Sequence, residues 1–261
     1  MQIHKKKAIQ FNIHGRYRRG TSDRVGLGYR TSGLRIPFLY WLFRLPTPDS
    51  RLYLLMFYPV KTPWWLKWIY PDCTWEMPGD DHAVYLSFDD GPDPVVTPFV
   101  LDLLAEYQVK ATFFCIGKNV VLYPEIYDRI LAEGHSVGNH TQNHLSGWKV
   151  SDEAYLNDVI EAGSYIRTNL FRPPYGRATR FQMKCLKESG LQMKMVMWTV
   201  LSGDFDTSIN PEQCYQNVAV NLRPGAIITF HDSRKAEPRL RYALPEVLKK
   251  MVSEGLKGRA L

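Results

Sequence analysis

Along most of this chain, short apolar runs alternate with longer stretches in which apolar residues recur every three or four positions. Residues 83–88 (AVYLSF) predict a strand. Residues 96–107 predict a helix with Val100, Leu101, Leu103, Leu104 and Tyr107 at helical spacing. Residues 111–116 (ATFFCI) read as a buried strand, residues 124–133 as a helix ended by Gly134, and residues 136–139 as a short strand. Ser151 is placed to cap a long helix over 151–170, with Asp152 and Glu153 in its first turn. A Pro-rich turn follows that helix from Phe171. Residues 180–189 predict a helix closed by Gly190, and residues 193–200 a strand. Residues 211–222 predict a helix with proline near its first turn, residues 226–230 a strand, and residues 244–254 the last full helix. Upstream, residues 62–70 (TPWWLKWIY) form an aromatic lead-in, helical or irregular.

Repeated strand–helix units imply a parallel sheet. Roughly six or seven of them fit an α/β fold of the TIM type, as a distorted or incomplete (β/α) barrel. A doubly wound open sheet is the competing architecture. Both place their sites at the C-terminal ends of the strands.

The charge pattern divides the chain. The formal net charge is +7, but residues 1–55 hold 11 basic and 2 acidic residues, and the remainder holds 22 basic and 24 acidic. The expected organisation is a basic, partly disordered extension over 1–55 and a catalytic domain over 56–261. Because the body is nearly neutral, the overall basicity does not argue for nucleic acid as a partner. The apolar stretches 36–43 and 52–60 fall short of the ~20 residues that span a bilayer. No signal-peptide apolar run follows Lys5, Lys6 and Lys7. Weak contact of residues 1–70 with a membrane surface is compatible with this composition. Localisation stays open between the cytoplasm and a bacterial membrane. The four cysteines show neither C-x-x-C nor zinc-finger spacing and imply no disulfide framework.

Five clusters carry candidate chemistry. Ser87 to Pro92 (SFDDGP) puts two carboxylates after an apolar strand, where adjacent side chains diverge. One can bind a metal while the other acts as a base. His140 and His144 (HTQNH) stand at i and i+4, a spacing that on one face of a helical turn lets both imidazoles reach one ion. With Asp90 they make three ligands and leave a position for water. Arg172 to Gly176 (RPPYG) is a stiff loop able to hold Arg172 against a carboxylate and aim a backbone N–H into a cleft. Trp198 to Asp206 (WTVLSGDFD) brings Asp204 and Asp206 after a strand, and Phe230-His231-Asp232 ends another.

Together the five clusters resemble the NodB-homology polysaccharide deacetylases, carbohydrate esterase family 4, over about residues 86–232. The resemblance implies a metal-dependent hydrolase that removes N-acetyl groups from an N-acetylglucosamine-containing glycan, chitin-like or peptidoglycan. It implies Asp89 as the base, His231 as the acid, Arg172 as the residue orienting the base, and Asp204 as the residue tuning the acid. Tyr175 would help hold the oxyanion through its N–H. Asp90, His140 and His144 would hold one divalent ion, with zinc expected and cobalt also suited. Tyr175, Phe205 and Trp198 would contact substrate. Two positions depart from the family pattern: Leu201 stands where Asp is frequent, and Phe205 where Trp is frequent. The expected consequence is altered substrate preference. Thr229, where Leu is usual, is expected to change packing only. The alternative functions are an amidase of the same fold acting on a small amide and an inactive carbohydrate-binding domain.

Overall fold

The structure is a computed structural model and describes residues 58–188 and 190–261. The predicted extension over 1–55 lies outside the described residues, as does position 189 at the end of one predicted helix.

Strand β1 (Ala83–Asp89) is buried along its whole length, as a parallel strand covered on both faces must be. Its alternate residues divide. Val84, Leu86 and Phe88 join the main core with the helices, whereas Ala83 and Tyr85 pack with Phe114, Val196 and Ile227 in a separate inner cluster. Ser87 and Asp89 share the parity of Ala83 and Tyr85, so the inner face turns polar toward its C-terminal end.

The sheet continues with β2 (Thr112–Cys115), β3 (Ser136–Asn139), β4 (Leu170–Phe171), β5 (Lys194–Met195), β6 (Val200–Leu201), β7 (Ile227–His231) and β8 (Lys257–Gly258). Its order is β5-β4-β3-β2-β1-β7-β6, with β8 paired to β1, and every pairing is parallel. β5 and β6 end the order on opposite sides yet adjoin in the chain. Between them, Val196 N–H bonds to Phe171 of β4 at 2.9 Å and Thr199 N–H bonds to Ile227 of β7 at 2.8 Å. One extended segment therefore serves both edges and curls the sheet into the distorted (β/α) barrel. The predicted strand over 193–200 is this segment, and its pairing switches partners midway.

The lead-in fills the edges that the switch leaves free. Lys61 bridges to Val200, Thr74 to Val196 and Glu76 to Ala226. Its helical part is α1 (Trp64–Ile69). The other helices are α2 (Val96–Glu106), α3 (Gly117–Leu122), α4 (Pro124–Ala132), α5 (Asp152–Ala162), α6 (Arg180–Glu188), α7 (Pro211–Ala219) and α8 (Glu237–Ser253). No helix among the described residues is long and apolar enough to cross a membrane.

Four expectations need correction. The helix after Ser151 ends at Ala162 rather than 170. Its N-cap forms as predicted, with Ala154 N–H donating to Ser151 Oγ at 3.2 Å. Gly163, a poor helix former, takes the C-cap, and the freed chain reaches β4. The Pro-rich turn therefore follows a strand, like the other clusters. Helix α3 was not predicted, because two valines and a glycine in six residues give a weak helical signal. The last helix begins at Glu237 rather than 244, running through Pro245 instead of starting beside it.

Candidate active site

The C-terminal ends of β1 and β7 lie in register, with Asp89 paired to His231. Parallel partners project to the same side, so these two residues flank one space. Asp89 is 3% exposed. Fully buried Arg172 donates from Nη1 to Asp89 Oδ1 at 2.7 Å and to Ser87 Oγ at 2.8 Å. Its Nε and Nη2 donate to the carbonyls of Val196 and Met197, and its guanidinium lies 4.0 Å from the Phe114 ring centroid. The planar fork is thus held on every side, an arrangement lysine could not copy. Burial pulls the Arg172 pKa down against the opposing pull of Asp89. Thr229 is buried, its Oγ1 3.2 Å from Ser87 Oγ, so this departure adds a polar contact as well as changing packing.

Asp90 turns away from its neighbour with φ at 82°. Asn119 of α3 fixes it by donating Nδ2 to its carbonyl at 2.8 Å. Asp90 Oδ1 lies 3.6 Å from His140 Nε2 and 3.1 Å from His144 Nε2. The three ligand atoms lie within 4.8 Å of one another. The two histidines sit on a loop after β3 and not on a helical turn, because Thr141 and His144 both take positive φ. Side chains shape that loop. Asn139 Oδ1 accepts from Thr141 N–H, and Asp158 of α5 accepts from both the N–H and Nδ2 of Asn143.

The donor set suits a cation. His140 Nδ1 contacts only a carbonyl oxygen, that of Arg172 at 2.8 Å, so Nδ1 carries the proton and Nε2 a lone pair. That lone pair faces Asp90 Oδ1, itself buried without a hydrogen bond. Two lone pairs facing each other with no proton between them repel unless a positive ion joins them. Burial lowers the His140 pKa to about 4, which keeps it neutral, as a ligand must be. Burial alone would raise the Asp90 pKa, but the His144 imidazole beside it and the charge of His231 hold it well below the carboxylate range.

On the other side, His231 Nδ1 lies 2.7 Å from Asp204 Oδ1, and its backbone N–H donates to Asp204 Oδ2 at 2.6 Å. Burial lowers the His231 pKa, but the charge and hydrogen bond of Asp204, with the charges of Asp90 and Asp89, overcome it and raise it to about 9. Asp204 is fully buried, and Arg239 of α8 donates Nε to its carbonyl at 2.5 Å.

Tyr175 has φ at 60°, the residue is 63% exposed, and its ring lies 4.6 Å from the His144 ring. Its N–H is used by no hydrogen bond among the described residues. Trp198 packs against the next residue, where a Cβ on Gly176 would come within 2.7 Å of the indole. Phe205 lies edge-on to His231 at 5.1 Å between ring centroids. Four of the six non-glycine residues with positive φ among the described residues are Asp90, Thr141, His144 and Tyr175. Strain of this kind persists where the surrounding structure over-determines it.

All ten residues singled out from the sequence fall in this region. Sequence reasoning gave no role to Asn119, Asn139, Asp158, Arg239 or Asp232. Asp232 is fully buried and accepts from Gly91 N–H at 3.0 Å, tying down the turn after Asp90. Its place beside His231 was the one available signal.

Comparison with known proteins gives a consistent outcome. The polysaccharide deacetylase family matches residues 76–194. A peptidoglycan-N-acetylglucosamine deacetylase of Bacillus cereus is 36% identical over 189 residues, covering 70% of this chain and 87% of that protein. A chitooligosaccharide deacetylase of Bradyrhizobium sp. is 37% identical over 157 residues, covering 58% of this chain and 70% of that protein. Among solved structures, a peptidoglycan N-acetylglucosamine deacetylase bound to a naphthyl N-hydroxybenzamide matches with TM-score 0.69 and 31% identity, covering 77% of this chain and 95% of that one. A peptidoglycan deacetylase from Bacillus subtilis matches with TM-score 0.62 and 29% identity, covering 70% and 89%.

Proposed function

The chain belongs to the polysaccharide deacetylase family, and on that premise we propose that it removes N-acetyl groups from an N-acetylglucosamine-containing glycan, peptidoglycan or a chitin-like oligosaccharide, in a metal-dependent hydrolysis. The observation that carries this reading is the register pairing of Asp89 with His231 beside the Asp90, His140 and His144 cluster. A base and an acid flank one space, and a cation site adjoins it.

Asp90, His140 and His144 would hold the divalent ion, for which zinc and cobalt both suit two imidazoles and a carboxylate. When bound, that ion supplies Lewis acidity to a carbonyl oxygen and to water.

The chain's own residues do the rest. Asp89 accepts the proton of the attacking water. Arg172 fixes its direction through a buried charge-assisted hydrogen bond. The unused N–H of Tyr175 donates to the oxyanion as negative charge develops there. His231 gives its proton to the departing nitrogen, because an amide anion is too basic to leave alone. Asp204 keeps that proton in place. Phe205 walls the acyl side, and Tyr175 and Trp198 offer ring faces to the sugar. The products are acetate and a free amino sugar.

The test is acetate release from N-acetylglucosamine oligomers and from peptidoglycan, comparing metal-loaded protein, chelated protein and Asp89→Asn. Release that requires both the metal and Asp89 is expected. Absence of release from either glycan, with metal bound stoichiometrically, would overturn the reading.

A further inference from the structure

Phe205 is the middle ring of a series. Its centroid lies 5.1 Å from His231 on one side and 4.9 Å from Tyr58 on the other. Tyr58 lies 147 positions before Phe205 in sequence and upstream of residues 76–194, the part that matches the family. It arrives through the lead-in, two residues before Val60, whose carbonyl accepts from Leu201 N–H at 2.8 Å. Its hydroxyl reaches Gly203, where a Cβ would come within 2.5 Å of it. Burial and the neighbouring Asp206 carboxylate both raise the phenol pKa, so the hydroxyl stays protonated. Tyr58 is therefore fixed at two points, with its ring against Phe205 and its hydroxyl over the Gly203–Asp206 turn.

We propose that Tyr58 is a positioning residue that sets the size of the acyl pocket by holding Phe205 against His231. The inference rests on the deacetylase reading in one respect, that Phe205 walls the acyl side. A phenyl ring at 205 is smaller than the indole frequent at this place in the family, and Tyr58 supplies a second ring behind it. In a close-packed wall, removing the rear ring lets the front ring retreat. The pocket then admits a longer acyl chain. Discrimination by one methylene in an apolar pocket is about 10- to 200-fold, and this is the scale on which loss of the contact would show.

The experiment uses the full, metal-loaded chain with Tyr58→Phe, Tyr58→Leu and Tyr58→Ala. Two quantities are read: kcat and KM on N-acetyl, N-propionyl and N-butyryl glucosamine oligomers, and binding of acetate, propionate and butyrate by NMR titration. Tyr58→Ala is expected to reduce the acetyl-over-butyryl preference by about tenfold or more in both series. Tyr58→Phe keeps the ring and should stay close to the parent, while Tyr58→Leu, the better-filled variant should alanine fail to fold, should fall between. An equal loss across all acyl lengths would mean that Tyr58 only supports the fold, and would overturn the proposal. Equal behaviour of Tyr58→Phe and Tyr58→Ala would overturn it too, because the ring would then not be the buttress. A parent chain that hydrolyses no glycan yet binds acetate more tightly than butyrate, with that order lost in Tyr58→Ala, would sink the deacetylase reading and leave this one standing. A parent that binds no short carboxylate would overturn this proposal on its own.

Discussion

At the scale of single residues, the site works by giving like groups different surroundings. His140 and His231 are both largely enclosed, but the first faces a carbonyl through Nδ1 and the second a buried carboxylate. Burial wins at His140 and lowers its pKa to about 4. At His231 burial is outweighed by Asp204 and the more distant charges, and the pKa rises to about 9. One imidazole is therefore neutral at neutral pH, as the proposed metal ligand must be, and the other protonated, as the proposed acid must be. The sign of the pH dependence follows. An acid must be protonated to act, so activity falls as pH rises through the His231 pKa. A cation held by Asp90, His140 and His144 opposes the imidazolium, which puts the alkaline limb of kcat/KM at or below pH 9. In Asp204→Asn the largest raising influence is gone and burial dominates, so the limb should move to lower pH by about one unit or more. A kcat/KM profile between about pH 5 and 10 reads this directly, and a limb that stays in place in Asp204→Asn would remove His231 from the role of acid.

At the scale of elements, loops carry the proposed metal ligands and helices hold the loops. Asp158 touches no ligand, yet its two oxygens take both amide groups of Asn143, and its own carbonyl accepts from Gln142 N–H at 3.1 Å. Both donor residues, Gln142 and Asn143, lie between His140 and His144, where the backbone bends through positive φ. Outer groups of this kind are worth about 10- to 100-fold in metal affinity. Asp158→Ala should weaken zinc binding by that factor in a competition titration while leaving the barrel's circular dichroism intact; unchanged affinity would make Asp158 a bystander. Helix α8 yields a prediction of the opposite sign. Pro245 sits inside it, where a proline lacks the N–H that would pair with residue 241 and crowds that carbonyl. Interior proline costs a helix about 3 kcal/mol relative to alanine, part of which returns through its rigidity in the unfolded chain. Pro245→Ala should therefore raise Tm by a few degrees, at about 2–4 °C per kcal/mol for a domain of this size. A fall in Tm would mean that the half-buried ring packs better than the restored hydrogen bond.

At the scale of the whole molecule, what the sequence disclosed and what it hid have one physical cause. FDDGP, HTQNH and RPPYG are contiguous, and a strand end delivers a contiguous motif to the site whatever the rest of the chain does. The barrel was legible for a related reason, since burial of both faces of a parallel strand leaves an apolar run such as residues 83–88. The hidden parts are those whose partners are remote in sequence. Asn119 reaches Asp90 from an unpredicted helix, Arg239 reaches Asp204 from a helix expected to start after it, and Tyr58 reaches Phe205 from the lead-in. The same architecture couples metal to stability. Asp90 follows β1, and His140 and His144 follow β3, so one bound ion would join the ends of two strands that β2 separates in the sheet. Without the ion, Asp90 Oδ1 and His140 Nε2 face each other as buried lone pairs, which burdens the apo protein. Binding to the native state alone adds about 2.7 kcal/mol of stability when free ligand is a hundredfold above Kd, or several degrees in Tm for a domain of this size. Thermal unfolding should therefore shift upward with zinc and downward with chelator, and Asp90→Asn should abolish the shift. In Asp89→Asn the shift should persist although activity is lost, because Asp89 is paired with Arg172 and lies outside the three-residue cation site. Loss of the zinc shift in Asp89→Asn would mean that the two carboxylates do not divide their labour between proton transfer and metal binding.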